Sequence, residues 1–341
     1  MEVTEDVYQR GSRRVRPLCE RLGVDPGGYS GGIEQAVVDF GAEDSFALAA
    51  KRLSRHHPVG LSAGTVRKIT LRHAAEMARR QKPEGCLSQL PAKGVRDLVV
   101  EADGTMLPVV EFASPASSSG DRRKGRKTSW REMRLCAAKD PRKADARYAC
   151  DMTGVHELGQ RWSHCAGKAG WGMDSRLHAV SDGATWIGLQ VKACLGDNTA
   201  HLLDLYHVME YLAAAQKACG PWNDPRKRWL KRQKQRLLKN RSDKVIDELS
   251  SHLEPSDRED TPIRNAWRYL CNHRNQLDYK TARQRDLPVG SGLIESAHRH
   301  VLQKRLKLSG AWWTAANLDH MAQLRICRAN HDWEQYWKAA A

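Results

Sequence analysis

Between residues 96 and 204 compact apolar runs of strand length alternate with helical stretches, and this alternation restricts the fold more than any other feature. Strands that alternate with helices argue for a mixed α/β domain. RDLVVEADGTMLPVVEF holds an apolar run, then Asp-Gly, then a second apolar run, which predicts strand, turn and strand. WREMRLCAAKD predicts a third strand and GVHELGQRWSHCAGKAG a helix. SRLHAVSDGATWIGLQVKACL opens with a short strand and an Asp-Gly turn, followed by apolar Trp186, Ile187 and Val191. HLLDLYHVMEYL predicts a strand that enters a helix.

The flanking sequence has a different character. Residues 1–95 read as mainly helical and contain a helix-turn-helix-like pattern: a helix through Ala47–Ser54, a turn at Pro58–Leu61, and a second helix capped by Ser62. Val66, Ile69, His73 and Met77 share one face of that second helix. Thr65, Arg67, Lys68 and Arg72 fall on the other, where a DNA groove can be met. An ordinary amphipathic helix pair has the same pattern. The polar loop SPASSSGDRRKGRKTSW carries Arg122, Arg123, Lys124, Arg126 and Lys127, a basic hairpin tip suited to phosphate contact. Residues 209–285 read as a basic helical insertion. Ten cations lie between Arg226 and Lys244, among them Arg228, Lys231 and Arg232, with Trp222 and Trp229 interleaved. Residues 286–341 open with a Gly-Ser-Gly turn into a helix that bears Glu295, Arg299, Lys304 and Arg305. The expected organisation is therefore a helical region (1–95), the first part of an α/β core (96–208), the insertion (209–285) and a closing helical part of the core (286–341).

A net charge of +16 makes polyanions the expected partners, because phosphate backbones attract such a chain through counterion release. No run approaches the roughly 18 apolar residues of a membrane span. The polar opening MEVTEDVYQRGSRRVR lacks the apolar stretch of a secretory signal. Nine scattered cysteines without a CxxC pair argue against a zinc ribbon and for reduced thiols in the cytoplasm.

Three acids stand where chemistry is possible: Asp103 and Asp182 at strand ends, and Glu295 in a first helical turn. Singly, each has a plain reading as a turn residue or a helix-dipole partner. Together, in a basic chain, they suit hard divalent cations. Two such ions about 3.5–4 Å apart can clamp a phosphodiester, with Asp103 as the bridging ligand and Asp182 and Glu295 each completing one ion.

VEADGTMLPV, SDGATWIGL, LLDLYHVMEYL and PVGSGLIESAHRHVLQKRLKLSGAWW resemble the signature blocks of bacterial insertion-sequence transposases with an RNase H-like DDE core. The nearest likeness is to the ISKra group, related to Mutator-type elements. It covers residues 45–337, and GSGLIES followed by QKRLKLSGAWW is its most specific part. The resemblance implies an RNase H-like sheet with a helical insertion before the last acidic helix, and Asp103, Asp182 and Glu295 match the family acids. It further implies two Mg²⁺ or Mn²⁺ ions, double-stranded DNA as partner, strand cleavage and strand transfer, and a homo-oligomer on DNA. Asp204 and His207 match a D-x-x-H feature, either as site support or DNA contact or as a structural pair at a strand-helix junction. Arg299, one turn beyond Glu295, is a candidate phosphate ligand, whereas His298 and His300 have no assigned role. Another RNase H-like nuclease, or a decayed transposase that only binds DNA, shares most of these features.

Overall fold

The computed structural model describes residues 4–11, 13–22, 28–81, 83, 85–112, 125–223, 228–255 and 259–340. Arg122, Arg123, Lys124, Arg226 and Lys227 lie outside them. In chain order, an antiparallel pair β1 (Tyr8–Arg10) and β2 (Arg13–Val15) precedes α1 (Pro17–Leu22), α2 (Gly31–Glu43), α3 (Phe46–His56) and α4 (Ala63–Arg80). Next come β3 (Asp97–Phe112), β4 (Arg126–Lys139), β5 (Arg147–Asp151), α5 (Val155–Lys168), β6 (Arg176–Ser181), α6 (Thr185–Gln190), β7 (Ala200–Leu203) and α7 (Leu205–Ala218). Helices α8 (Arg228–Leu237), α9 (Ser242–Ser250), α10 (Pro262–Asn272) and α11 (Tyr279–Gln284) follow. Helix α12 (Gly292–Ala297) continues through a π-type turn (His298–Gln303) into α13 (Lys304–Leu306), before α14 (Ala315–Ala329) and α15 (Trp333–Ala340).

The chain is thus an α/β protein. Its main sheet has the order β5-β4-β3-β6-β7. Strands β3, β6 and β7 are parallel, and β4 and β5 are antiparallel, so the sheet is mixed. One expectation is corrected. Asp103-Gly104 does not turn the chain, because β3 runs unbroken through both residues. Gly104 is not among the glycines with positive φ, and β4 lies alongside β3 to keep it extended.

The chain divides into two compact units. The first comprises Met1–Lys82, Thr105–Met133 and Ala297–Ala341. In it α4 packs on α2, α3 and α14. Ser62 caps α4 by accepting from Thr65 N–H (3.1 Å), and Val66, Ile69, His73 and Met77 are buried on one face, as their spacing predicts. His73 reaches the Tyr336 hydroxyl (2.7 Å) and Glu34 (3.0 Å).

The second unit comprises Pro83–Gly104 and Arg134–Ser296, and its sheet is covered on both faces. Leu98, Val100, Ala102, Leu177 and Ala179 pack against Leu158, Trp162 and Ile187 of α5 and α6. On the opposite face Val99, Val180 and Leu202 pack against Val208, Leu212, Leu237, Leu249 and Leu270 of the insertion helices. Double coverage explains why these strands read as nearly continuous apolar runs. Each fully buried Leu or Val contributes roughly 1.5–3 kcal/mol.

The insertion is therefore apolar inside and basic outside. Trp222 and Trp229 are not interleaved with the cations on the surface. They are buried and stacked on each other, with ring centroids 4.4 Å apart, because the largest apolar side chains of the segment serve the core.

Candidate active site

The site forms in the second unit, where β3, β6 and β7 end their shared ladder. Glu101 of β3 lies opposite Val180 of β6. Asp103 follows two residues after Glu101 on β3, and Asp182 two residues after Val180, just past the end of β6. Ser181 lies opposite Leu203 of β7, so Asp204 comes level with Asp182 on the other side. Neighbouring strands run about 4.8 Å apart. Side chains alternate along a strand, so Glu101 and Asp103 of β3 share the face of Val99. Acids from three distant stretches of sequence are thus carried by β3 and by the turns that directly follow β6 and β7.

Each acid is held differently. The half-buried Asp103 accepts from Gly104 N–H (2.7 Å). Asp182, also half-buried, accepts from Ala184 N–H (2.8 Å) in a tight turn just after β6. The backbone of that turn is fixed from α10. Tyr269 donates its hydroxyl to the Asp182 carbonyl (2.5 Å), and His273 Nε2 bonds the Gly183 carbonyl (2.9 Å). Gly183 has φ +83°, and a Cβ there would stand 2.7 Å from His273 Nε2 and from Leu203, so the turn requires glycine.

Glu295 lies in the first turn of α12, and its carboxylate is exposed. The PVGSG segment before it is tied to the strand ends one residue after another. His178 Nε2 donates to the Pro288 carbonyl (2.8 Å), and Leu205 N–H donates to the Val289 carbonyl (2.9 Å). Ser291 gives both its N–H (2.7 Å) and its hydroxyl to Asp204. Ile294 N–H donates to Glu101 (2.8 Å). Gly290 passes so close to Tyr206 that a Cβ would stand 2.5 Å from its ring. These bonds fix where Glu295 begins its helix relative to Asp103 and Asp182.

Two acids thus support the site. Asp204, 2% exposed, caps α7 by accepting from Tyr206 N–H (2.6 Å) and His207 N–H (3.2 Å), and its second oxygen clamps Ser291. It makes no side-chain pair with His207, which stands 3.2 Å from Glu210 and packs edge-on against Tyr211 and Tyr269. Glu101 is 1% exposed and was not singled out in the sequence. Burial pushes its carboxyl up to about 8, bonds from the amides of Ile294 and Leu293 oppose the rise, and the negative charges of Asp204 and Glu295 add to it. The signal was present: an acid inside the apolar run LVVEAD, two residues before Asp103 and so on the same strand face.

The donor set suits a hard cation. Among the described residues, Asp182, Asp204 and Glu295 have no Lys or Arg partner although the chain carries a net +16. Carboxylates are the ligands that Mg²⁺ takes. Among the described residues, no three His, Cys, Asp or Glu side chains close on one point as they would around a bound ion. The backbone assembles the acids, and the side chains do not converge by themselves.

The expected DNA contacts fare unequally. Arg67, Lys68, Lys127, Lys231 and Arg299 are exposed. Arg126 and Arg228 are also exposed, with Arg126 stacked on Trp312. Arg72 pairs with Glu34 (2.5 Å), Lys304 with Glu43 (3.6 Å) and Arg232 with Glu248 (2.8 Å), so part of the sequence-level charge is neutralised within the fold. Thr65 is half-buried in the α4 cap, hydroxyl to hydroxyl with Ser62 (3.0 Å). The expectation for Arg305 is corrected. It is 1% exposed, its guanidinium lies over the rings of Phe46 (4.8 Å) and Trp313 (5.0 Å), and it donates to the Gly41 carbonyl (3.1 Å). Two aromatic rings and a backbone carbonyl thus take its charge away from solvent. All nine cysteines are free thiols, and no described helix is long and apolar enough to cross a membrane.

No model of a known protein family matches the chain, and no curated protein matches its sequence significantly.

Proposed function

We propose that this chain is a DNA-cleaving and DNA-joining enzyme, a DDE transposase of a bacterial insertion sequence with an RNase H-like core. One observation carries the reading. Asp103 on β3 and Asp182 just past the end of the neighbouring parallel strand β6 each stand two residues beyond the last paired residues Glu101 and Val180, and the helix bearing Glu295 is bonded to Glu101 and Asp204. A sheet whose long central strand is parallel to two strands on one side, with an antiparallel pair at its other edge, supports the RNase H-like assignment. So do the sequence blocks that resemble the ISKra group.

Asp103, Asp182 and Glu295 would hold two Mg²⁺ or Mn²⁺ ions, which when bound activate the attacking oxygen and neutralise the charge that develops on phosphate. The protein's own contribution is positioning. Tyr269 and His273 fix the Asp182 turn, and Asp204 and Glu101 fix the start of α12. Arg67, Lys68, Lys231 and Arg299 offer exposed charge to a phosphate backbone. The enzyme would act in the bacterial cytoplasm on nucleoid DNA, as a multimer that holds two element ends.

The test is a strand-scission assay on a labelled duplex that ends in the inverted repeat flanking the gene, with Mg²⁺ or Mn²⁺. Nicked and joined products are scored separately. The wild type is expected to make both. Asp103→Ala and Glu295→Gln should bind the duplex with near wild-type affinity and make neither. Full cleavage by Asp103→Ala would overturn the assignment. Nicking without joining would favour a nuclease of the same fold.

A further inference from the structure

We infer that Phe112, Arg126 and Trp312 form a stacking site for an unpaired DNA base. The inference rests on the reading of the chain as a DNA-processing enzyme. It adds a contact that neither the acids nor the surface cations provide.

The site lies within the first unit. Val110 N–H donates to the Trp313 carbonyl (2.7 Å), which lays the segment around residues 312–313 along the end of β3. The two tryptophans then part. Trp313 turns inward, 4% exposed, donates its Nε1–H to the Leu306 carbonyl (3.2 Å) and meets Phe46 edge-on. Its neighbour Trp312 is left 47% exposed, and so is Phe112 at the end of β3. The Arg126 guanidinium stacks on the Trp312 ring, 4.0 Å from its centroid. Val110, Phe112, Arg126 and Trp312 line a cavity of about 370 Å³. That lies within the roughly 300–1,000 Å³ typical of ligand pockets.

The chemistry of the lining selects the occupant. Two exposed aromatic rings offer faces on which any base can stack, and a planar guanidinium beside them suits the adjoining phosphate. Among the described residues, no carboxylate lines the cavity. Bases inside a duplex are stacked on one another, so only an unpaired base has a face to offer. A purely apolar partner would leave Arg126 without an anion, so charge complementarity favours nucleic acid over a second copy of the chain.

The experiment is fluorescence anisotropy on the full chain in chelator, which prevents cleavage. The probes are a labelled 12-mer of thymidine and an abasic 12-mer with the same phosphates. The wild type should bind the thymidine strand about tenfold more tightly, since stacking is worth about 5- to 150-fold per base. Trp312→Ala should erase that preference, and Trp312→Phe should keep most of it. Arg126→Ala should weaken both probes and lower the salt slope by about 0.7. Equal wild-type binding of the two probes, or a preference that survives Trp312→Ala, would overturn the site. So would a Trp312→Ala variant that changes only the oligomeric state in sedimentation, which marks a self-interface. Cleavage by Asp103→Ala sinks the transposase reading without touching this measurement, and the two ideas therefore fail separately.

Discussion

Asp204→Ala probes how the helix that carries Glu295 is held. The side chain is 2% exposed, and its oxygens accept four hydrogen bonds. Two of these cap α7, and loss of a cap costs about 0.5–2 kcal/mol. The other two come from Ser291, whose buried N–H and hydroxyl each cost about 1–3 kcal/mol when left without an acceptor. Removal of one negative charge also eases the buried Glu101, which Asp204 opposes electrostatically, so the expected loss sits low in the combined range, about 3–4 kcal/mol. Ser291→Ala removes only the hydroxyl and should cost about 1 kcal/mol. The double variant should cost less than the two single losses together, because both delete the same bond. Urea unfolding reads each value from the midpoint, provided the slope stays constant. Asp204→Asn keeps one oxygen for the cap but turns an amide towards Ser291. It should fold with a loss of about 2 kcal/mol and cleave DNA more slowly than wild type while it binds DNA normally. If Asp204→Ala unfolds within about 1 kcal/mol of wild type, the clamp is not what fixes α12 and the positioning argument fails.

Arg305→Lys keeps the charge but loses the planar stack between Phe46 and Trp313. It should destabilise the chain by about 2–3 kcal/mol in urea unfolding without changing the salt dependence of DNA binding. Arg67→Ala, at an exposed position, should do the reverse, and a salt slope that tracked Arg305 instead would return that residue to the DNA surface. Burial together with the nearby His273 and His178 lowers His201 to about 4, so it stays neutral in the fold while the unfolded chain takes up a proton below about 6.5. Its stabilising contribution is complete above that pH and is lost as the pH falls towards about 4. His201→Gln should therefore flatten the stability profile in that window, and an unchanged acid limb counts against the buried neutral state. Gly183→Ala forces a side chain into a positive φ and against His273. It should cost about 2–4 kcal/mol by thermal or urea unfolding, and a neutral result would mean that the Asp182 turn relaxes freely.

Much of the fold is legible in local sequence because local sequence causes it. The run at β6, the cap at Ser62 and the buried face of α4 follow from alternation, capping chemistry and helical spacing. The Asp-Gly pair at 103–104 misleads for a physical reason. As a dipeptide it favours a turn, but a strand flanked by β4 and β6 gains more from an unbroken ladder. Trp222 and Trp229 mislead for a related one, since a tryptophan among cations gives no local sign of whether it faces a ligand or a core.

The sequence by itself determined that strands alternate with helices, that the chain is cationic, and that Asp182 follows a strand and Glu295 opens a helix. These are properties of segments a few residues long and of summed charge. Only the tertiary structure decided that β3, β6 and β7 lie side by side, that Glu101 and Asp204 hold the PVGSG turn, and which arginines point at solvent. Those outcomes depend on strand register and on partners far away in sequence. Arg305 shows the difference: its charge is fixed by its identity, but its burial is fixed by Phe46, Trp313 and Gly41, which only the fold brings to it.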